Sequence, residues 1–228
     1  MAIYACSDLH GNGNLWNQIK DFLQPDDTLY YLGDAVDRGP DGWRILIEML
    51  TDERVNFIVG NHEIMLADRI INPYDYDIAN LHHHNGGKPT WLSAENDPEA
   101  MQVAYRIYSL PKYAIYENVN GLKIFMSHSG STNIWDEKEL IWDRHEYVRS
   151  KNDTEYDKII HGHTPIEYLV DDLREVAQFF DIQHSLPDWE GGAYWYHGFR
   201  CDIDCLTAAT HETVLLNLDT FEQKIFKV

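Results

Sequence analysis

Five short polar stretches, each set directly behind a strand-like apolar run, constrain this chain more than anything else in its sequence. They are Asp8-Leu9-His10, Gly33-Asp34-Ala35-Val36-Asp37-Arg38-Gly39, Gly60-Asn61-His62-Glu63, Ser127-His128-Ser129-Gly130 and His161-Gly162-His163-Thr164. The runs before the first three, Ile3–Ser7, Thr28–Leu32 and Asn56–Val59, alternate with helix-periodic segments. Leu15, Trp16, Ile19, Phe22 and Leu23 recur at helical spacing within Asn12–Leu23, as do Trp43, Ile45, Leu46 and Met49 within Gly42–Leu50. Strand–helix alternation predicts a sheet that starts from parallel neighbours. Open α/β sheets place ligands beyond the carboxyl ends of their strands, which is where these donors fall.

The middle of the chain changes character. From about 68 to 110 it is polar and helical in tendency, with Pro73, Gly86-Gly87, Pro89 and Pro98 as breakers. It reads as a small helical cap inserted in a single domain covering 1–228. Lys112–Tyr116 and Leu122–Ser127 read as strands joined by the turn Asn118–Gly121, and Lys158–His161 as another strand. Ile166–Phe180 has partly helical character. Thr213–Leu218 and Gln223–Val228 form a terminal hairpin through Asp219-Thr220, while Ile182–Phe199 is too rich in Gly, Trp and Tyr to place.

A formal charge of -20 argues against non-specific nucleic-acid binding, which depends on Lys and Arg, and against anionic lipid surfaces. No apolar run reaches the roughly 18 residues of a membrane span. The start of the chain lacks the basic flank of a signal peptide and passes straight into a strand pattern. Cys6, Cys201 and Cys205 make no disulfide framework: Cys6 reads as a buried thiol in the first strand, and the other two are too isolated for a zinc site. The expectation is a cytoplasmic protein.

A hydrolytic two-metal site needs a bridging carboxylate and a few neutral donors around ions roughly 3.5–4 Å apart. Asp8, His10 and Asp34 could form one half-site; Asp34, Asn61, His128 and His163 could form the other, with Asp34 bridging. This mix of carboxylate, amide and imidazole suits manganese, iron or zinc better than calcium. Singly, each stretch has plainer explanations: an Asp after a strand caps helices and turns, and Gly-Asn-His-Glu could cap a helix. His82-His83-His84 reads as a solvated or cap-lining run, because consecutive helical side chains diverge. His161 reads as support for the ligands rather than as a ligand, and Tyr194-Trp195-Tyr196 as core.

In order and in wording, these motifs resemble the PPP-type serine/threonine phosphatases within the calcineurin-like metallophosphoesterases. The resemblance covers about residues 3–165 and, more loosely, the terminal hairpin. Asn85-Gly86-Gly87 before Thr90-Trp91, together with Trp142-Asp143-Arg144 and Gly162-His163-Thr164-Pro165, resembles the compact bacterial and bacteriophage branch. The resemblance implies a four-layer α/β fold: a metallophosphoesterase β-sandwich flanked by helices, with a small helical cap and the metals at its top edge. It also implies two divalent metal ions, manganese first, with iron, zinc or nickel as alternatives. His62 becomes the general acid, Asp37 its orienting carboxylate, and Arg38 and Arg144 the grip on the phosphoryl oxygens; a surface ion pair is the plain alternative for Arg144. Three positions depart from the family pattern: Ser7 and Ser129 replace smaller residues harmlessly, and Asp204-Cys205 stands where Asp-Thr-Gly is common.

The activity implied is dephosphorylation of phosphoserine or phosphothreonine in a phosphoprotein or phosphopeptide, by direct attack of a metal-bridging hydroxide, with no nucleic-acid or membrane partner. The same motifs serve symmetrical diadenosine tetraphosphate hydrolases, and such a hydrolase or another nucleotide phosphoesterase on the same site is the first alternative. The second is a catalytically silent phosphatase-like binding protein, which the filled ligand positions disfavour. Sequence leaves the oligomeric state open.

Overall fold

Two five-stranded sheets carry the chain, and the polar stretches sit where strands of both sheets end. The structure, a computed structural model, describes residues 1–144, 152, 154–179 and 189–228. In the first sheet β1 (Ile3–Cys6), β2 (Thr28–Tyr31) and β3 (Val55–Phe57) lie parallel, and β9 (Glu212–Asn217) and β10 (Gln223–Lys227) extend it on the far side of β1 in antiparallel order. The second sheet runs β4 (Tyr113–Glu117), β5 (Lys123–Ser127), β6 (Lys158–His161), β8 (Arg200–Asp202), β7 (Tyr194–Tyr196), with parallel pairing of β5, β6 and β8. The α/β expectation holds, including the initial parallel register.

The sheets face each other through Ile3, Ala5, Ile124, Met126, Ile160, Cys201, Val214 and Leu216, a dry seam of small and branched residues. Strand side chains alternate between faces, so the opposite face of the first sheet is free to pack helices. Helices α1 (Gly13–Phe22), α2 (Gly42–Thr51) and α3 (Asn61–Ile71) do so around the buried Trp16, Ile19, Leu46 and Leu66. Asn12 caps α1, its side chain accepting from Leu15 N at 3.2 Å. On the outer face of the second sheet, α8 (Ile166–Phe179) packs Ile166, Leu169 and Leu173 on Tyr194 and Tyr196, while Leu140 of α7 (Glu137–Trp142) joins Phe125 and Tyr156. Helix, sheet, sheet, helix is the four-layer order expected. Tyr194 and Tyr196 are core residues, as read.

Three helices fill the 68–110 segment: α4 (Tyr76–His84), α5 (Lys88–Ala94) and α6 (Ala100–Ser109). Val103, Ala104 and Ile107 seat α6 in the same core as α3. Strand β8, helix α7 and the short α9 (Thr207–Thr210) were not anticipated. Of the stretch left unplaced, residues 182–188 lie outside the described residues, as does Phe180. Cys6, Cys201 and Cys205 are buried free thiols, and burial pushes Cys6 up to about 12. Among the described residues, no helix is long and apolar enough to cross a membrane.

Candidate metal centre

The loops after β1, β2, β3, β5 and β6 bring Asp8, His10, Asp34, Asn61, His128 and His163 into one buried cluster. The backbone bends sharply to do so. Asp8, His10, Asp34, Asp37, Arg38 and His163 all take left-handed φ values between 44° and 69°. Such conformations are costly for non-glycine residues and collect at functional sites. Hydrogen bonds lock the first two loops together: Asp8 N donates to Gly33 O at 3.0 Å, His10 N to Asp34 O at 3.0 Å and Gly11 N to Ala35 O at 2.8 Å. Gly33 is required in its place, because at φ +92° a Cβ would stand 2.5 Å from Gly60 N and 2.9 Å from His128 Nδ1.

Glu63 ties the second loop to the third. Its Oε2 accepts from Asp34 N and Gly60 N, each at 2.9 Å, and its Oε1 from Ala35 N at 2.8 Å. The bond to Gly60 N, at the N-terminus of α3, is the glutamate half of a capping box. The plain explanation of Gly-Asn-His-Glu as a helix cap is therefore true of Glu63, while Asn61 and His62 point into the site. The role of Glu63 was not read from sequence; its position three residues beyond Gly60 was the available signal.

The donor atoms crowd together. Asn61 Oδ1 lies 3.0 Å from His128 Nε2 and 2.9 Å from His163 Nδ1, and those two nitrogens are 3.2 Å apart. Asp34 Oδ1 is 3.4 Å from His128 Nε2. Donors held at about 2.1 Å by one ion stand about 3.0–3.4 Å apart, so this spacing matches the edges of a coordination shell. On the other side of Asp34, its Oδ2 and Asp8 Oδ1 each lie 3.8 Å from His10 Nε2. Asp8 Oδ1 is buried and has no hydrogen-bond partner, an arrangement a cation would satisfy.

Tautomers agree with that reading. His128 Nδ1 donates to Leu32 O at 2.6 Å and His10 Nδ1 to Val36 O at 3.1 Å, so in each ring Nε2 is the nitrogen that faces the carboxylates and would offer its lone pair to an ion once unprotonated. Electrostatics agree too. Burial and the neighbouring Asp34 charge push Asp8 up to about 7, although His128 opposes them. Burial would lower His128, but Asp34 and Asp8 together hold it up at about 10. Burial, with His62 beside it, drives His10 down to about 3, and burial with His128 holds His163 well below the ordinary range. Divalent ions would relieve the repulsion between these buried carboxylates.

Beside the cluster stands an imidazole–carboxylate pair. His62 Nδ1 donates to Asp37 Oδ2 at 2.8 Å, while its Nε2 lies 3.8 Å from Asp34 Oδ2 and 3.3 Å from Arg38 Nη2. Burial opposes protonation of His62, but Asp34 and Asp37 outweigh it and raise its pKa. Arg38 is exposed. Arg144, also exposed, follows α7 close enough that its charge helps to hold His163 down. His161 stays out of the donor cluster: its Nε2 meets Tyr196 Oη at 2.6 Å, and its Nδ1 faces Gly162 O.

The His82–His84 run, read as solvated or cap-lining, divides between the two: His83 and His84 are exposed, but His82 is buried, and its Nε2 lies 3.0 and 3.1 Å from the two oxygens of Asp37. Successive residues on α4 are about 100° apart, so only one of three identical side chains faces inward.

A cleft of about 360 Å³ opens next to His10 and Arg38, walled by Asn12, Asp41, Thr207 and His211. Its size is in the range of small-molecule sites, and His10 and Arg38 join it to the donor cluster.

A buried carboxylate between two sets of oxygen and nitrogen donors, at strand ends of a helix-flanked sandwich, is a donor set fit to hold two divalent ions. The chain belongs to the calcineurin-like phosphoesterases, whose family model matches residues 1–202. It is similar to a symmetrical bis(5'-nucleosyl)-tetraphosphatase of Delftia acidovorans, 24% identical over 178 residues, which are 75% of this chain and 60% of that protein. The chain therefore spans less than two thirds of that relative's length. Its fold is similar to a metallophosphoesterase of Sphaerobacter thermophilus (TM-score 0.60, 17% identity, 100% and 88% of the two chains). It is also similar to a protein serine/threonine phosphatase of Saccharomyces cerevisiae (TM-score 0.56, 16% identity, 100% and 80% of the two chains).

Proposed function

We propose that the protein is a phosphomonoesterase of the PPP type that acts on phosphoserine or phosphothreonine in protein. Asp8, His10 and Asp34 hold one divalent ion, and Asp34, Asn61, His128 and His163 the other, manganese fitting the donor set. Bound there, the ions supply an activated water and neutralise phosphoryl charge. Arg38 and Arg144 bind the phosphoryl oxygens, a task that suits the guanidinium fork. His62 gives its Nε2 proton to the departing oxygen, and Asp37 fixes the ring through Nδ1.

The observation that carries this reading is the His62–Asp37 bond of 2.8 Å, with Nε2 turned toward Asp34 Oδ2, 3.8 Å away, and Arg38. A serine or threonine alkoxide is a poor leaving group and gains most from a positioned acid. The Delftia similarity favours a second reading, a dinucleotide polyphosphate hydrolase working from the same residues. Turnover of a phosphothreonine peptide against diadenosine tetraphosphate, with added manganese, separates the two. A kcat/KM higher on the peptide is expected; a preference for the dinucleotide replaces the first reading with the second.

A further inference from the structure

We propose that His82 is a positioning residue for the proton donor: from the helical segment it grips both oxygens of Asp37, and so fixes the ring of His62. The proposal rests on the reading of His62 as the acid.

Asp37 is buried and strained, at φ +68°, with three ties to the 68–110 segment and its neighbours. Its backbone N–H donates to Thr90 Oγ1 at 2.8 Å, and the next residue's N–H, that of Arg38, donates to Gly86 O at 2.9 Å. The third tie is His82, whose Nε2 stands 3.0 Å from Oδ1 and 3.1 Å from Oδ2. An ionised carboxylate only accepts, so Nε2 must carry the proton. A carboxylate held by His62 alone at 2.8 Å could still rotate about its last bond. A donor that spans both oxygens fixes its plane and leaves Oδ2 aimed at His62 Nδ1. These two donors together pull the Asp37 carboxyl below the usual range against the effect of burial.

The position of His82 is itself enforced. It lies in the last turn of α4, where its carbonyl accepts from Gly87 N at 2.9 Å. A Cβ at Gly87 would sit 2.2 Å from the ring, so only glycine leaves the imidazole its place. The Asn85-Gly86-Gly87 stretch thus seats His82 with one glycine and Arg38 with the other. Outer hydrogen-bond partners of metal ligands are worth about 10–100-fold in activity when removed, and a loss of that order is expected for a bond that orients the acid.

The test uses the full chain loaded with manganese, and two substrates: methyl phosphate, whose alkoxide needs the proton, and para-nitrophenyl phosphate, whose phenolate does not. In His82→Gln the amide nitrogen reaches the place of Nε2, whereas in His82→Asn it falls short by one methylene. We expect His82→Asn to lose about 10–100-fold in kcat on methyl phosphate and only a few-fold on the aryl ester, with KM and bound manganese unchanged. His82→Gln should recover most of that loss, and His83→Gln, on the exposed side, should match the parent. In an Asp37→Asn background, His82→Asn should add nothing. Equal losses on both substrates, or full additivity with Asp37→Asn, overturn the proposal. His62→Asn separates the two layers. If it shows the leaving-group dependence and His82→Asn does not, only the role of His82 falls; if neither shows it, the acid itself has been misassigned.

Discussion

Glu63 offers the sharpest structural prediction, because one side chain carries the joint between two site loops. Three buried N–H groups, those of Asp34, Ala35 and Gly60, meet its oxygens at 2.8–2.9 Å, and a fourth, Val36 N, lies at 3.4 Å. In Glu63→Gln one amide oxygen can still serve the Asp34 and Gly60 donors. The amide NH₂ then faces Ala35 N–H, donor against donor. Leaving one such donor unsatisfied costs about 1–3 kcal/mol, and Glu63→Ala, which orphans three, costs about 3–9 kcal/mol. Against a total stability of about 5–15 kcal/mol, the alanine chain is expected to be mostly unfolded or nearly so. The glutamine variant is measurable: at a urea slope of about 3 kcal/mol per molar, a loss of 2 kcal/mol lowers the midpoint by about 0.7 M. The same variant should bind manganese more weakly, since the loop that carries Asp34 is no longer anchored at the Ala35 N–H. A Glu63→Gln protein with an unchanged urea midpoint and unchanged manganese affinity would refute this account of the loop joint.

Other measurements reach different parts of the structure. Manganese binding should release protons, because His128, held near 10, must give one up before it can ligate, and Asp8, near 7, is partly protonated in neutral solution. Titration calorimetry in buffers of different ionisation enthalpy should therefore find more protons released at pH 6 than at pH 8. Release that does not change with pH contradicts these assignments. On the surface, Glu48 meets Arg44 Nη1 at 2.7 Å, Trp16 Nε1 at 2.8 Å and the ammonium of Lys20. Partial burial would raise Glu48, but these bonds together lower it to about 2. Its stabilisation is thus complete above the unfolded value of about 4.3 and is lost as pH falls toward 2. Glu48→Gln should cost about 0.2–1 kcal/mol at pH 7 and approach nothing near pH 2, read as a thermal-midpoint difference that closes on acidification.

Much of the first sheet could be read directly. Ile3–Cys6, Thr28–Tyr31 and Val55–Phe57 are apolar runs between helical periods, and each ends on a stretch of metal-type donors. Strand β8 could not be read that way, since Arg200-Cys201-Asp202 places two charged residues in a three-residue buried strand. Its position comes from register between β6 and β7, and Arg200 is accommodated by Gly130 O at 3.0 Å, none of which is local. Within the site, the donors announced themselves by type and spacing. His82 did not, because three identical neighbours differ only in the direction α4 turns them, and that direction is set by packing against Asp37 and Gly87. Glu63 was hidden for the opposite reason: capping a helix was a sufficient explanation for it until its other bonds, to Asp34 and Ala35, were seen.

The central claim is that Asp34 serves two metal ions at once, with one oxygen 3.4 Å from His128 Nε2 and the other 3.8 Å from His10 Nε2. Metal analysis of the manganese-reconstituted protein, paired with para-nitrophenyl phosphate hydrolysis, tests it most directly. The account predicts two ions per chain in the parent, and loss of tight binding at both positions together with activity in Asp34→Asn. An Asp34→Asn protein that keeps both ions and full activity would contradict it.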